Sequence, residues 1–399
     1  MSWDKVKLAD CCLSISDGDH QPPPKAVSGV PFVTIANINK SNQFDFSDTM
    51  FVPKDYYDRL DLKRKAQVGD ILYSVVGSFG IPVLIKEERP FVFQRHIAIL
   101  RPNERINSAF LYYTMLSRDF YAKADAAAIG AAQRTVSLTS LRGMEIELPP
   151  LKVQEAIASK LSVYDNLIEN NQKQIKLLEE AARRLYKEWF VNFRFPGYED
   201  TPIVDGVPEG WEEAPIDSRI SLLSGYAFKS AQFDSSGEYK IVTIKNVKDG
   251  EFDGINTNRI VSIPGKTPKH CVLTDGDILL SLTGNVGRTC IVNGNNYLLN
   301  QRVAKLQSDI HAFTYCLFRS SDMFDAMNNL ANGTAQQNLS PIRTGKISIL
   351  FPADNLLEEF ERIVGSMISK MLSLIKQCDL LIQARDRLLP KLISGEIEV

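Results

Sequence analysis

Amide and guanidinium side chains recur in short glycine-containing loops at two places in the chain. Residues 130–137 read Gly-Ala-Ala-Gln-Arg-Thr-Val-Ser, and residues 333–340 read Gly-Thr-Ala-Gln-Gln-Asn-Leu-Ser. Glutamine and asparagine can pair bidentately with adenine, and arginine pairs with guanine or phosphate. A loop of this composition could equally be a structural connection, but its duplication favours a role in binding. The candidate binding residues are Gln133, Arg134, Gln336, Gln337 and Asn338.

Further polar and glycine positions are also duplicated. Two G-x-x-G turns follow predicted strands and would let the backbone approach another surface closely; their alternative interpretation is a tight turn between strands. Two Gln-Arg pairs carry donors suited to base edges or phosphates, or are simply solvated surface. Lys229, beside Tyr226 and Phe228, could reach a groove or belong to a packed segment. The candidates in these groups are Ser74, Gly77, Gly80, Gln94, Arg95, Lys229, Ser281, Gly284, Gly287, Gln301 and Arg302.

No pattern typical of an active site or a metal site accompanies these loops. The sequence has no G-x-x-x-x-G-K-[ST] phosphate loop, no G-x-G-x-x-G, no H-E-x-x-H and no Asn-Pro-Pro-aromatic tetrapeptide. The six cysteines include no C-x-x-C pair, and the four histidines are far apart. We therefore predict no catalytic residue and no metal ligand in this chain.

The chain is an internal repeat with a period of about half its length. Collinear matches pair residues 31–38 with 240–247, 69–74 with 276–281, 94–95 with 301–302, and 130–137 with 333–340. The drifting offset indicates small loop deletions in the second copy. Each copy begins with short apolar runs separated by turn residues, which predict strands. A helical stretch, residues 108–123, interrupts them in the first copy.

A heptad pattern follows each of these strand-rich regions. Apolar residues recur at alternating spacings of four and three over residues 154–189, with Asn171 in one seam position, and again over residues 364–389, with Arg385 in the seam. This periodicity is typical of a coiled coil. Ordinary amphipathic helices are the alternative, but 36 residues make a rod of about 54 Å. A rod with a single apolar seam needs a partner, and the other copy is the obvious one.

Composition favours a globular protein without bulk positive charge. The 399 residues include 46 Lys and Arg against 48 Asp and Glu, which argues against a histone-like protein. Each strand-rich region has a net charge of +1, so we expect weak DNA binding by the isolated chain. No apolar run approaches the roughly 20 residues of a membrane helix. We expect a cytoplasmic protein that does not bind membranes.

Several short motifs, in a fixed order, resemble those of a known family. Their order and duplication resemble the specificity subunit of type I restriction–modification systems over nearly the whole chain. The motifs lie at residues 3–8, 69–72, 77–80, 149–155, 195–198, 208–211, 333–340 and 389–396.

The resemblance implies an α+β fold, with two β-rich target recognition domains in a head-to-tail repeat. Two long helices separate the domains and form an antiparallel coiled coil. The expected boundaries are residues 1–150 for the first recognition domain, 151–193 for the first coiled-coil helix, 194–210 for an exposed linker, 211–353 for the second recognition domain, and 354–399 for the second coiled-coil helix and tail.

The same resemblance implies the partners and cofactors. Each recognition domain would read one half of a split, asymmetric double-stranded DNA site, while the helices set the spacer and dock two methyltransferase subunits. Two restriction–translocase subunits complete the complex. S-adenosylmethionine, ATP and Mg²⁺ would be bound by these partner subunits and not by this chain. A scaffolding protein with duplicated protein-binding domains is the alternative function.

Overall fold

Two compact units, each built from distant parts of the chain, make up the protein. The computed structural model describes residues 3–20, 23–39, 41–131, 133–331 and 337–399. The first unit contains the described residues up to Asn170 together with Cys378–Val399, and the second unit contains Asn171–Gln377. Each unit therefore combines one strand-rich region with parts of both long helices.

The first unit carries nine strands and four short helices before its long helix. Its strands are β1 (Asp4–Lys7), β2 (Cys12–Asp17), β3 (Val30–Val33), β4 (Met50–Val52), β5 (Ile71–Ser74), β6 (Pro82–Leu84), β7 (Val92–Phe93), β8 (Ile97–Pro102) and β9 (Glu145–Leu148). Its helices are α1 (Lys54–Asp58), α2 (Ser108–Leu116), α3 (Arg118–Ala127), α4 (Leu138–Gly143) and the first part of α5 (Leu151–Tyr186).

The second unit repeats this order of elements. Its strands are β10 (Ile203–Val204), β11 (Val207–Pro208), β12 (Glu212–Pro215), β13 (Ser221–Ser224), β14 (Tyr239–Val242), β15 (Asn258–Ile260), β16 (Val272–Leu273), β17 (Ile278–Ser281), β18 (Thr289–Ile291), β19 (Tyr297–Leu299), β20 (Val303–Gln307) and β21 (Ser348–Phe351). Its helices are α6 (His311–Phe318), α7 (Ser321–Ala331), α8 (Pro341–Gly345) and most of α9 (Asp354–Ile393).

Matching sheets confirm the repeat and the α+β class. A four-stranded antiparallel sheet has the order β2-β8-β5-β6 in the first unit and β13-β20-β17-β18 in the second. A second sheet, β4-β3-β7 or β15-β14-β19-β16, contains one parallel pair in each unit. A two-stranded ribbon, β1-β9 or β12-β21, precedes the long helix. Apolar residues of these strands fill the cores. The four-stranded sheets are covered on both faces, since Leu72 and Leu279 belong to different core clusters from their neighbours along the strand.

The long helices pair antiparallel within each unit. In the first unit, the Cys378 thiol lies 3.9 Å from the Ile168 carbonyl oxygen, and Arg385 binds Asp165. In the second unit, Asn171 Nδ2 donates to Gln377 Oε1 at 3.4 Å, and the ring of Phe360 lies 6.3 Å from that of Tyr186. Residue numbers in α9 thus fall as those in α5 rise, as an antiparallel coiled coil requires.

Of the two polar seam residues, Asn171 is buried and Arg385 is partly buried, and both have polar partners. Asn171 faces Gln377, and Arg385 donates to Asp165 Oδ1 at 2.6 Å. Asp165 Oδ2 also accepts from Tyr113 Oη of α2 at 2.8 Å. Burial opposes the charged form of Arg385, but the Asp165 and Asp386 carboxylates outweigh burial and raise its pKa. Asp165 therefore joins the first recognition domain to both helices.

The equivalent junction in the second unit uses Glu179 of α5. Its Oε1 accepts from Tyr315 Oη of α6 at 3.3 Å and pairs with the guanidinium of Arg319. Burial opposes the charged form of Arg319, but the hydrogen bond that it donates to Asp249 and nearby charges raise its pKa overall. Each unit thus attaches a tyrosine of its strand-rich region and a largely buried arginine to a carboxylate of α5.

Side chains on the long helices also cap the recognition-domain helices. Gln154 Oε1 accepts the backbone N–H of Asn107 at 2.8 Å, ahead of α2. Glu361 accepts the backbone N–H groups of Ala312 and Phe313, both at 2.8 Å, in the first turn of α6. These contacts satisfy N–H groups that have no partner within their own helix.

Two local predictions differ from the structure. The helical stretch 108–123 is two helices, because Ser117 ends α2 and its Oγ accepts from Phe120 N at 3.2 Å to begin α3. The exposed linker contains a buried anchor, Phe195, whose ring centroid lies 5.4 Å from that of Trp211. The aromatic packing outweighs the Pro, Gly and acidic content from which exposure was predicted.

Substitution Asp165→Ala should destabilise the protein by about 2–3 kcal/mol, because Arg385 would keep only the more exposed carboxylate of Asp386 and Tyr113 Oη would lose its acceptor. Chemical denaturation of the full chain measures this change. A double-mutant cycle with Arg385→Ala should give a strong favourable coupling energy. The matched control is the exposed pair Asp55–Arg59, whose side chains are 71% and 75% exposed and whose loss should cost at most about 1 kcal/mol. Equal effects at the two pairs would contradict a role for Asp165 in joining the first unit.

Candidate nucleic-acid interface

Three backbone segments converge in each unit just after the strand β5 or its equivalent β17, here called the central strands. In the second unit, the segment after β17 lies between the turn before β20 and the loop before α8. Leu282 N donates to Arg302 O at 3.0 Å, and Leu339 N donates to Leu282 O at 2.7 Å. These bonds place the G-x-x-G turn, residues 301–302 and residues 337–338 side by side.

The first unit has the same convergence. Val75 N donates to His96 O at 2.9 Å, and Val136 N donates to Val75 O at 2.9 Å. The turn glycine also follows the repeat, because Gly77 N donates to Arg134 O at 2.9 Å and Gly284 N donates to Gln337 O at 3.4 Å. The repeat therefore preserves the backbone that presents the predicted polar residues.

Strand register corrects one of the sequence matches. Ser74 pairs with Ile97 in the first unit, and Ser281 pairs with Val303 in the second. His96 is therefore the equivalent of Arg302, and Arg95 is the equivalent of Gln301. The predicted equivalence of the Gln94-Arg95 and Gln301-Arg302 pairs is wrong by one residue, because the path from Ile291 to Leu299 is one residue shorter than the equivalent path from Leu84 to Phe93.

Four predicted residues line one cavity in the second unit. This cavity, here called the second groove, has a volume of about 610 Å³. The side chains of Gln301, Arg302, Gln337 and Asn338 are all exposed at its wall. Its lining is Ser224, Leu282, Thr283, Gln301, Arg302, Gln337, Asn338, Leu339, Ser340 and Pro341.

The second groove offers unmatched hydrogen-bonding capacity. Among the described residues, Arg302 has no ion-pair partner and Thr283 Oγ1 is buried without a hydrogen-bond partner. Buried polar atoms in folded proteins are nearly always paired. A guanidinium, a hydroxyl and three amides along one wall suit a ligand rich in acceptors and donors, such as base edges or a phosphate backbone.

The corresponding positions of the first unit carry different chemistry. Arg134, in the place of Gln337, pairs with Asp125 and lies 5.4 Å from the ring centroid of Phe79. Burial and then the neighbouring Arg95 guanidinium lower the pKa of His96, so the imidazole is neutral at pH 7. Gln133 and Arg95 are exposed. The two units thus present unlike donors and acceptors on the same backbone.

The predicted binding residues Ser74 and Ser281 stabilise the turns that follow their strands. Ser74 and Ser281 are fully buried, and their Oγ atoms accept the backbone N–H of Ile81 at 2.9 Å and of Arg288 at 3.0 Å. Side chains enclosed in this way cannot contact a DNA surface, so their inclusion among the binding candidates is corrected. The hydroxyl of each serine holds the turn that follows its strand.

The four turn glycines divide into two pairs. All have positive φ values, from 70° to 95°. Gly80 lies against the ring of Tyr121, and Gly287 is buried near Met327 and Phe324, so these two are structural. Gly77 and Gly284 are exposed at the turn tips, where backbone could approach a ligand.

Two further candidates, Gln94 and Lys229, lie outside these clusters. Gln94 is partly buried and its backbone N–H donates to Val33 O at 3.1 Å. Lys229 is exposed but does not line the second groove. Gln336 lies outside the described residues. Sequence reasoning missed His96 and Thr283; aligning the strand starts at Ile97 and Val303 would have revealed the first of them.

Metal-binding clusters and membrane spans were also searched for. In the described part of the chain, no group of three or more His, Cys, Asp or Glu side chains could hold a metal ion. None of the helices described is long and apolar enough to cross a membrane.

Comparison with known proteins identifies one family. The family described as type I restriction modification DNA specificity domain matches residues 2–180 and again residues 208–367. The MjaIX type I restriction enzyme specificity subunit of Methanocaldococcus jannaschii is 25% identical, over 83% of this chain and 78% of its own length. The HindI type I restriction enzyme specificity subunit of Haemophilus influenzae is 21% identical, over 99% of both chains.

A solved structure shares the fold. The S subunit of a type I restriction-modification system from M. genitalium matches 98% of this chain and 96% of its own, with a TM-score of 0.57 and 17% sequence identity. The family match covers both halves of the chain, each with its own recognition region. The chain belongs to the type I restriction–modification DNA specificity family, and it carries the specificity domain of that family twice.

Proposed function

We propose that the two recognition domains of this specificity subunit each read one half of a bipartite, asymmetric DNA site for a type I restriction–modification complex. The observation that supports this proposal is the repeated backbone convergence that presents different side chains in each unit. Equivalent backbones place the two sets of side chains at the same point of each domain. Because the side chains at these equivalent positions differ, the two domains would select different bases.

Partner subunits would supply the electrostatic part of DNA affinity. Residues 1–150 carry 18 basic and 17 acidic residues, and residues 211–353 carry 14 and 13. Because phosphate neutralisation provides most non-specific affinity, domains this close to neutrality bind DNA weakly by themselves. Assembly with a basic partner would strengthen binding without changing the half-site that each domain reads.

The outer face of the long helices supports docking of two methyltransferase subunits. Val163 and Leu167 lie one turn apart on α5 and are 55% and 45% exposed. Leu177 of α5 and Leu380 of α9 are 64% and 65% exposed. Apolar side chains adjacent on a helix face are typical of interaction surfaces.

The chain would act without chemistry of its own. The methyltransferase subunits would bring S-adenosylmethionine, and two restriction–translocase subunits would bring ATP and Mg²⁺. The lack of a cofactor-binding motif in the sequence supports this division. The role of this chain is to position the partners on the DNA.

The purified chain alone should neither methylate nor cleave DNA. Incubation with labelled S-adenosylmethionine, ATP, Mg²⁺ and plasmid DNA measures both activities. The positive control is the complex reconstituted with its methyltransferase subunits, which should transfer methyl groups to adenine. Methyl transfer by a preparation free of partner subunits would refute the non-catalytic role.

Substitution Gln337→Ala should alter selection in one half-site only, because contacts in the second groove are local. Loss of one bidentate base contact costs about 1–3 kcal/mol of discrimination. Competition binding by the reconstituted complex against single-base variants of its site measures this. The control is Asn258→Ala, which removes an exposed amide of the same unit outside the groove. Equal loss of discrimination in both half-sites would contradict the domain assignment.

We further propose that the helix pair sets the length of the spacer between the half-sites. One heptad inserted after Asn171 in α5 and one after Lys376 in α9 would keep the apolar seam and the Asn171–Gln377 contact. The insertion should separate the domains by a further 10 Å or so, which is close to three base pairs at about 3.4 Å each. Methylation mapping measures the spacer.

The rotation of the DNA helix affects the result. Three base pairs turn one half-site by roughly a third of a turn, so the variant should lose its original site, with or without recognising a longer one. A heptad inserted in α5 alone is the control, and it should disrupt the helix pair and abolish assembly. Full methylation at the original spacing by the double insertion would show that the helices are only a docking surface.

A further inference from the structure

His96 and Arg302 occupy the same place in the two units. His96 is the last residue before β8, and Arg302 is the last residue before β20. The carbonyl oxygen of each accepts from the residue that follows the neighbouring strand, Val75 after β5 or Leu282 after β17. The next residues, Ile97 and Val303, are fully buried in equivalent small cores. His96 and Arg302 lie in the turns just before these strands, where His96 is partly buried and Arg302 is exposed.

The environment of Arg302 indicates what this position contacts. Its side chain is exposed in the second groove beside Gln301, Gln337 and Asn338, and it has no ion-pair partner in the described part of the chain. Thr283, with its unpartnered hydroxyl, lines the same wall. An arginine held among amides, without a carboxylate to neutralise it, is suited to guanine O6 and N7.

His96 has the same backbone but offers different chemistry. Its ring is partly buried and has no hydrogen-bond partner among the described residues. A neutral imidazole has one donor and one acceptor, whereas a guanidinium has donors only. The two side chains therefore cannot prefer the same pattern of groups on a base pair.

We propose that His96 and Arg302 are equivalent base-reading positions, so that the difference between histidine and arginine helps to make the two half-sites unlike. This inference rests on the proposed reading of one half-site by each recognition domain. It adds that one structurally equivalent position, which the sequence repeat itself misaligns, determines part of the specificity in both domains.

Reciprocal substitution in the complete complex tests the proposal. His96→Arg should change the preferred base at one position of the first half-site, and Arg302→His should change one position of the second. Each change should shift discrimination by about 5- to 150-fold, the range of one bidentate contact. Methylation mapping together with competition binding against single-base variants of the site reads both half-sites in one experiment.

Charge and folding are controlled separately. Lys54→Ala and Lys266→Ala each remove an exposed cation, one from each unit, and should leave every base preference unchanged. Thermal melting of each variant checks folding. If either reciprocal variant melts early, His96→Gln or Arg302→Gln replaces it under the same criterion.

The possible outcomes separate this inference from the proposed function. Unchanged preferences, or an even loss of affinity over all sequences, would overturn the base-reading role and leave bipartite recognition intact. A change in the opposite half-site, or in both, would overturn the equivalence of the two positions. A wild-type complex without sequence-selective methylation would overturn the proposed function and this inference with it.

Discussion

A partly buried carboxylate on α5 attaches each recognition domain to the long helices. Asp165 binds Tyr113 and Arg385 in the first unit, and Glu179 binds Tyr315 and Arg319 in the second. A buried charge is tolerated only when its partners are correctly placed, so each contact specifies how a domain sits on its own stretch of helix. The orientation of each strand-rich region on the helices depends on this attachment.

The central strands then determine which side chains face the groove. The turn after β5 or β17 is held by a buried serine and by hydrogen bonds to the segments on either side. This backbone is the same in both units, whereas the side chains it presents differ. Under the proposed reading of DNA, substitutions at a few exposed positions would change the target without disturbing the core.

The parts of the fold that depend on local periodicity could be predicted from sequence. The heptads identified both long helices, including the polar seam positions Asn171 and Arg385, because the seam repeats within the chain itself. The duplicated loops identified the residues of the second groove for the same reason. Charge alone would not have located these residues, since each domain is close to neutral.

What depends on distant partners could not be predicted. Matching identical residues in the two copies made Arg95 equivalent to Arg302, but the strand register makes His96 equivalent to Arg302. The difference is a one-residue deletion in a loop, which does not alter the Gln-Arg motif itself. Ser74 looks like an exposed turn residue until the strand that covers it is known. Capping of α6 by Glu361 joins residues far apart in sequence. Each of these features follows from tertiary contacts that composition does not encode.

The most direct test of the account is the pattern of methylation in cells that contain this chain and its methyltransferase subunits. Single-molecule sequencing locates every methylated adenine. Two unlike recognition domains on one helix pair predict one bipartite motif, with different bases in its two halves and a fixed spacer. Deletion of the gene for this chain should remove methylation at that motif. A continuous or symmetric motif, or methylation that persists without this chain, would contradict the account.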